Sequence, residues 1–166
     1  VALAGEGGHV TLAATDDDEA ALLSLLRQDF PHVSAERLLS GSGLVLLYQA
    51  VCRLQGVAAL ALHPAQVSEA ALQQTNVQCQ RAVHLFTGFL GSVAGNLALT
   101  LGALGGVYVG GGIVPKLGHA FDEALFRRRF EAKGRYRDYL SEIPVWVITA
   151  QTPALLGASY ALDFGG

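Results

Sequence analysis

Residues 82 to 115 contain no Asp, Glu, Lys or Arg. A span this long without charge must be buried, either in lipid or inside the protein that carries it. Gly91 and Gly95 make a GxxxG spacing, which favours close helix packing in either setting. Against a membrane span stand nine glycines and Asn96 within the stretch, the clustering of glycines from Gly105 to Gly112, and weak flanking aromatic and basic belts. A small-residue helix packed closely against a sheet accounts for the same pattern, so no membrane contact is expected.

The rest of the chain agrees with one folded domain. Its 166 residues are 51% hydrophobic and 15% charged, a balance that builds a substantial core and argues against disorder. A net charge of -3 gives no general attraction to nucleic acid. Between Phe126 and Tyr139, basic residues alternate with Phe130, Tyr136 and Tyr139, but Glu131 and Asp138 dilute them. That segment reads as a solvated helix face, and no nucleic-acid partner is expected. Cys52 and Cys79 lack the spacing of a zinc site or disulfide framework, and no signal peptide is visible, so reduced thiols and a cytoplasmic location are expected. The chain has no Met at all, as expected of a processed product or a portion of a longer protein.

Val10 to Ala13 read as the end of a strand that begins before Glu6. Thr15 then offers a helix cap, with Asp16, Asp17 and Asp18 in the first turn and leucines 22, 23, 25 and 26 on the apolar side. The acidic triplet is a helix start rather than a metal site. Ser34 can cap a second helix that has Glu36 at its positive end. Gly41-Ser42-Gly43 breaks the chain before a helix carrying Leu44, Leu47, Tyr48 and Val51, and a long helix is expected from Asn76 to Leu101. Gly105 to Pro115 reads as a short buried strand, a glycine turn and a helix opened by proline, Val145 to Thr149 as a second apolar strand, and Pro153 starts a helix that runs through Tyr160. Strands alternating with helices give an α/β layer architecture.

Two short segments carry candidate chemistry. Glu6-Gly7-Gly8-His9 places a carboxylate and an imidazole around two glycines, and Glu36 adds a second carboxylate further along. Carboxylates accept hydrogen bonds and a neutral imidazole both donates and accepts, so the three can read a hydroxylated ligand. The glycines allow the backbone to approach closely. Gly110-Gly111-Gly112, between a strand and a helix, would let a nucleotide lie against the backbone with the helix N-terminus near its polar groups. This turn is neither a dinucleotide GxGxxG nor a P-loop, and no GxSxG elbow or cysteine signature marks a hydrolase.

In order, Gly5-Glu6-Gly7-Gly8-His9, His32-Val33-Ser34-Ala35-Glu36-Arg37-Leu38-Leu39-Ser40-Gly41 and Gly106-Val107-Tyr108-Val109-Gly110-Gly111-Gly112-Ile113-Val114-Pro115 resemble the bacterial glucokinases. Phe130 to Arg135 and Pro153 to Gly157 extend the resemblance over nearly the whole chain. It implies an actin-like ATPase (ribonuclease H-like) fold, a mixed sheet flanked by helices. It further implies that residues 1–166 are part of the larger C-terminal domain, truncated at its N-terminus, with the small N-terminal domain absent. The implied activity is transfer of the γ-phosphoryl group of ATP, with Mg²⁺, to the 6-hydroxyl of glucose, and a homodimer is among the assemblies it allows. By the same resemblance Glu6, His9 and Glu36 hold sugar hydroxyls, while Gly111 and Gly112 border the nucleotide. No metal ligand is assigned.

Position 110 is glycine where the family often has another small residue. The cysteine cluster of the related zinc-containing sugar kinases and repressors is missing, which favours the glucokinase branch. The family's first phosphate loop, its Asn-Asp pair with the aspartate base, and its Gly-Thr-Gly loop do not occur in these residues. No catalytic residue is therefore assigned, and the isolated chain is expected to be inactive, because phosphoryl transfer depends on positioning and charge stabilisation. The alternative is a non-catalytic sugar-binding or assembly module.

Overall fold

The structure, a computed structural model, describes residues 5–150 and 152–164, with the side chains of 162–164 excepted. The part of the expected first strand that precedes Gly5 lies outside the described residues. Nine α-helices and two strands are formed among the described residues. The helices are α1 (Asp17–Leu26), α2 (Ala35–Leu38), α3 (Gly41–Leu54), α4 (Pro64–Leu72), α5 (Val77–Leu101), α6 (Ile113–Leu117), α7 (Glu123–Glu131), α8 (Arg137–Ser141) and α9 (Pro153–Phe164). The strands are β1 (Val107–Val109) and β2 (Val145–Val147), paired in parallel with Val107 opposite Val145. The fold is thus α/β but mostly helical, with a small parallel sheet where a larger mixed one was expected.

Local chemistry sets most helix ends. Asn76 caps α5 by accepting from the Cys79 amide at 2.9 Å, and Gly102 closes it in the left-handed region at φ 60°. For α1 the expected cap Thr15 gives way to Asp16, whose Oδ1 accepts from the Glu19 amide at 2.8 Å. Thr15 instead donates its amide and hydroxyl to Glu19 Oε2, at 2.8 and 3.0 Å. The residue with the carboxylate one step closer to the free amides takes the cap. Gly41 and Gly43 do not break the chain; they form the first turn of α3 behind the Ser40 cap.

The charge-free span runs from within α5 through a glycine-rich link, β1 and the glycine turn into the start of α6. α5 is long and apolar enough to cross a membrane by length and composition, yet 67% of its apolar window is buried inside the protein. Its N-terminal half closes a core with α1, α3 and α4 around Tyr48, Phe89, Leu22, Leu26, Leu44 and Leu47. Its C-terminal half meets α7, α8 and the inner side of the sheet around Phe126, Phe130, Leu140 and Ile143. Each such large side chain, when fully buried, contributes about 1.5–3 kcal/mol.

The small residues of α5 face a helix rather than the expected sheet. A β-carbon at Gly91 would lie 2.4 Å from the Phe126 carbonyl oxygen, and one at Gly95 would lie 2.3 Å from that of Phe130. The GxxxG spacing therefore seats α7 backbone-close on α5, one carbonyl per turn. Arg129 of α7 crosses the same seam and forms a bidentate pair with Glu19 of α1, at 2.6 and 3.0 Å. Its Nε donates to Ser92 Oγ at 2.9 Å, and Glu19 is only 2% exposed. The basic stretch is accordingly less a solvated face than a set of staples. Arg127 donates to the carbonyls of Leu140, Ser141 and Ile143, while Lys133 donates to that of Ser92.

Candidate functional site

The segment after Glu6 folds as a single 3-10 turn, Gly7–His9, closed by the His9 amide donating to the Glu6 carbonyl at 3.0 Å. The expected strand at Val10 to Ala13 is reduced to one antiparallel bridge between Thr11 and Ser34. That bridge still positions the site. Leu12 N donates to Val33 O and Ala35 N donates to Val10 O, both at 3.0 Å, which fixes the His9 turn beside the opening of α2. Ser34 then caps α2 as the sequence indicates, accepting from the Arg37 amide at 3.2 Å, so Glu36 sits in the first turn.

These two constraints bring Glu6, His9 and Glu36 together. His9 Nδ1 lies 3.5 Å from Glu36 Oε2 and 3.7 Å from Glu6 Oε2. Both distances are longer than a tight hydrogen bond. All three side chains are more than half exposed, so they remain available to a ligand. If the ring donates from Nδ1 toward the carboxylates, Nε2 is left as an acceptor. Two carboxylates and one imidazole edge then form an acceptor-rich cluster suited to several neighbouring hydroxyl groups.

Only one of the two intervening glycines is needed for this approach. A β-carbon at Gly8 would stand 2.9 Å from Glu36 Oε2 and 3.2 Å from Glu36 Cβ, whereas one at Gly7 meets nothing within 4 Å. His9 and Glu36 line an open cleft of about 780 Å³, shared with Phe30, His32, Arg37, Ser42 and Gln49 among others. Sequence reading did not single out Phe30, Ser42 or Gln49. Ser42, Val45, Leu46 and Gln49 follow the i, i+3, i+4, i+7 spacing of one helix face, a signal that identifies a shared side of α3 without saying that it borders a cleft.

The glycine turn stands elsewhere, between β1 and α6. Gly111 has φ +104°, which a side chain resists, and a β-carbon there would meet open space. Gly112 caps α6, and the Lys116 ammonium lies 3.8 Å from where its β-carbon would stand. α6 has only five residues, so its dipole adds little to the turn. α4 connects the two regions: Pro64 packs 3.7 Å from a β-carbon built at Gly41, while at the other end the Leu72 carbonyl pairs with His119 Nε2 at 3.0 Å, just past α6. Among the described residues no group of three or more His, Cys, Asp or Glu is arranged to hold a metal ion, and both cysteines are free and buried.

The chain is similar to known proteins along most of its length. The family model described as glucokinase matches residues 1–164. A glucokinase of Aromatoleum aromaticum is 58% identical over 161 residues, covering 97% of this chain and 49% of that protein. A glucokinase of Chromobacterium violaceum is 52% identical, covering 95% of this chain and 45% of the relative. The crystal structure of a glucokinase from an Antarctic psychrotroph superposes with a TM-score of 0.89 at 41% identity, covering 97% of this chain and 50% of that one. The glucokinase of Balamuthia mandrillaris in complex with glucose shares the fold, with a TM-score of 0.77 at 21% identity over 89% of this chain and 43% of that one. The chain spans about half the length of the curated relatives it matches. With a family model matched from end to end and relatives above half identity, this chain belongs to the glucokinase family.

Proposed function

We propose that this chain forms the sugar-reading part of an ATP-dependent glucokinase of the actin-like ATPase superfamily, within its larger C-terminal domain. The whole enzyme transfers the γ-phosphoryl group of ATP to the 6-hydroxyl of glucose in the cytoplasm, as a first step of sugar breakdown. Glu6, His9 and Glu36 hold sugar hydroxyls, and Gly111 and Gly112 border the nucleotide. The observation that carries the reading is the meeting of these three side chains, from a turn and a helix opening 27 residues on, with His9 and Glu36 lining one open cleft.

The chemistry of that cluster favours a neutral polyol. Two carboxylates would repel an anionic sugar acid, whereas each can accept from one or two hydroxyls. The glycine turn fits a nucleotide because Gly111 leaves open space where a side chain would project. Mg²⁺ prefers phosphate oxygens, water and one or two carboxylates to an all-protein cage, and the described residues offer no such cage. When bound with ATP it neutralises charge on the phosphates. This chain's own residues bind and orient; the base for the sugar hydroxyl is proposed to lie on the small N-terminal domain. A homodimer is compatible with this scheme.

Coupled phosphorylation of glucose tests the proposal. The whole glucokinase that contains these residues is expected to turn over glucose in preference to other hexoses, and residues 1–166 alone to give no turnover above a host-enzyme blank. Robust turnover by the isolated chain, or no preference for glucose by the whole protein, would contradict it.

A further inference from the structure

A groove of about 500 Å³ runs between β2 and the start of α7, lined by Phe121, Phe126, Val145 and Val147 among others, with Glu123 and Arg127 as its charged members. The strand that borders it has an unused edge. Val107 N donates to Pro144 O at 3.0 Å and Ile148 N donates to Val109 O at 2.9 Å, with Tyr108 opposite Trp146. In a parallel pair this register turns the backbone of Trp146 toward β1, so the amides and carbonyls of Val145 and Val147 point the other way. Among the described residues those backbone groups have no hydrogen-bond partner. Charge along the groove is one-sided. Arg127 is held by the Glu131 carboxylate and by the carbonyls of Leu140, Ser141 and Ile143. Glu123 forms no ion pair and no side-chain hydrogen bond among the described residues, and Asp122 beside it adds a second carboxylate.

We propose that β2 and this groove form a docking surface for an extended segment of a partner protein that is apolar and basic, and that adds a strand to the open edge. Backbone pairing with Val145 and Val147 would supply affinity, and alternate side chains of the added strand would face Phe121 and Phe126. A Lys or Arg on the segment would meet Glu123, whereas an acidic segment would face two carboxylates with the one nearby cation already held. The same edge of a second copy does not supply this chemistry, because residues 142 to 150 contain no Lys or Arg. β2 has only three residues, so the added strand is short and its affinity modest. None of these residues belongs to the cluster of Glu6, His9 and Glu36, and the inference stands apart from the sugar-binding role.

Three dye-labelled probes test it by fluorescence anisotropy: acetyl-Lys-Val-Thr-Val-Lys-amide, its counterpart with Glu at both ends, and the lysine peptide N-methylated at its three central amides. Each is titrated into residues 1–166, the Glu123→Gln variant, and the whole glucokinase that contains these residues. Lysines at both ends reach Glu123 whichever way the strand runs, and the two valines share one face. The lysine peptide is expected to bind about fivefold more tightly than the glutamate one, and N-methylation to weaken it at least about tenfold. E123Q should bring the first two peptides within about twofold of each other. With unlabelled lysine peptide, Trp146, the single tryptophan of the chain, should report the same binding in its fluorescence. No binding of the lysine peptide by residues 1–166 would overturn the proposal, as would equal affinity for the N-methylated form or an unchanged preference in an E123Q chain whose circular dichroism is unaltered. Binding by residues 1–166 but not by the whole protein would also overturn it, because another part of the same protein would then occupy the edge.

Discussion

Gly8 stands directly against Glu36, with room for a hydrogen but not for a β-carbon, which would lie 2.9 Å from Oε2 and 3.2 Å from Cβ of the glutamate. The carboxylate end can swing away, but its Cβ is fixed to α2. Gly8→Ala should therefore displace Glu36 from His9 while leaving the core untouched. We expect glucose affinity to fall severalfold with a stability change within about 0.5 kcal/mol, as for surface sites generally. Calorimetric titration and a denaturant curve on the same preparation check the two halves of this statement.

Glu19 and Arg129 join α1 to α7 through a bidentate pair at 2.6 and 3.0 Å, and Glu19 is almost wholly buried. Removing one partner leaves the other charge without its ion pair in a largely buried site, Arg129 being 15% and Glu19 2% exposed. Glu19→Ala should cost about 3–5 kcal/mol, and Arg129→Leu a comparable amount. Urea unfolding measures both, and the double variant should cost less than the sum of the two single losses.

Gly91 and Gly95 face carbonyl oxygens of α7 at distances no side chain tolerates. Here backbone, not a flexible side-chain tip, occupies the space. Either glycine replaced by alanine should destabilise the chain by more than about 1 kcal/mol, as overpacking does, despite alanine's better helix propensity. Replacement at Gly105, where a β-carbon meets nothing within 4 Å, provides the control and should cost far less.

Much of this architecture is legible in the sequence, and its failures share one cause. Asn76, Gly102 and Ser34 set helix ends by local hydrogen bonds, so local reading finds them. Glu6, His9 and Glu36 are identified through the ordered family motifs, although their proximity depends on the Thr11 and Ser34 bridge. What local reading misses are contacts across long separations. It places Val10 to Ala13 in a strand because alternation does not reveal how few partners are present. The stretch around Arg129 looks solvated because the carboxylate that claims it lies 110 residues away. The small residues of α5 signal close packing, but not that α7 is the neighbour.

Cys79 is fully buried, and that burial, aided by the neighbouring Cys52, raises its thiol pKa to about 11. The unfolded thiol ionises first as pH rises from about 9, so the folded state then holds more protons and loses stability. Well below pH 9 this group contributes little slope. Denaturation midpoints measured at intervals up to pH 11 should fall across that window, and Cys79→Ala should flatten the part of the decline that belongs to the thiol.

The central claim is that His9 reads glucose together with Glu36. Long-range ¹H–¹⁵N spectra of the His9 imidazole, recorded during a glucose titration of residues 1–166, test it most directly. The account predicts a saturable change at the His9 ring nitrogens that Glu36→Gln reduces strongly and that an equal concentration of a non-sugar polyol does not reproduce. Unchanged His9 signals at glucose concentrations that saturate binding would contradict it.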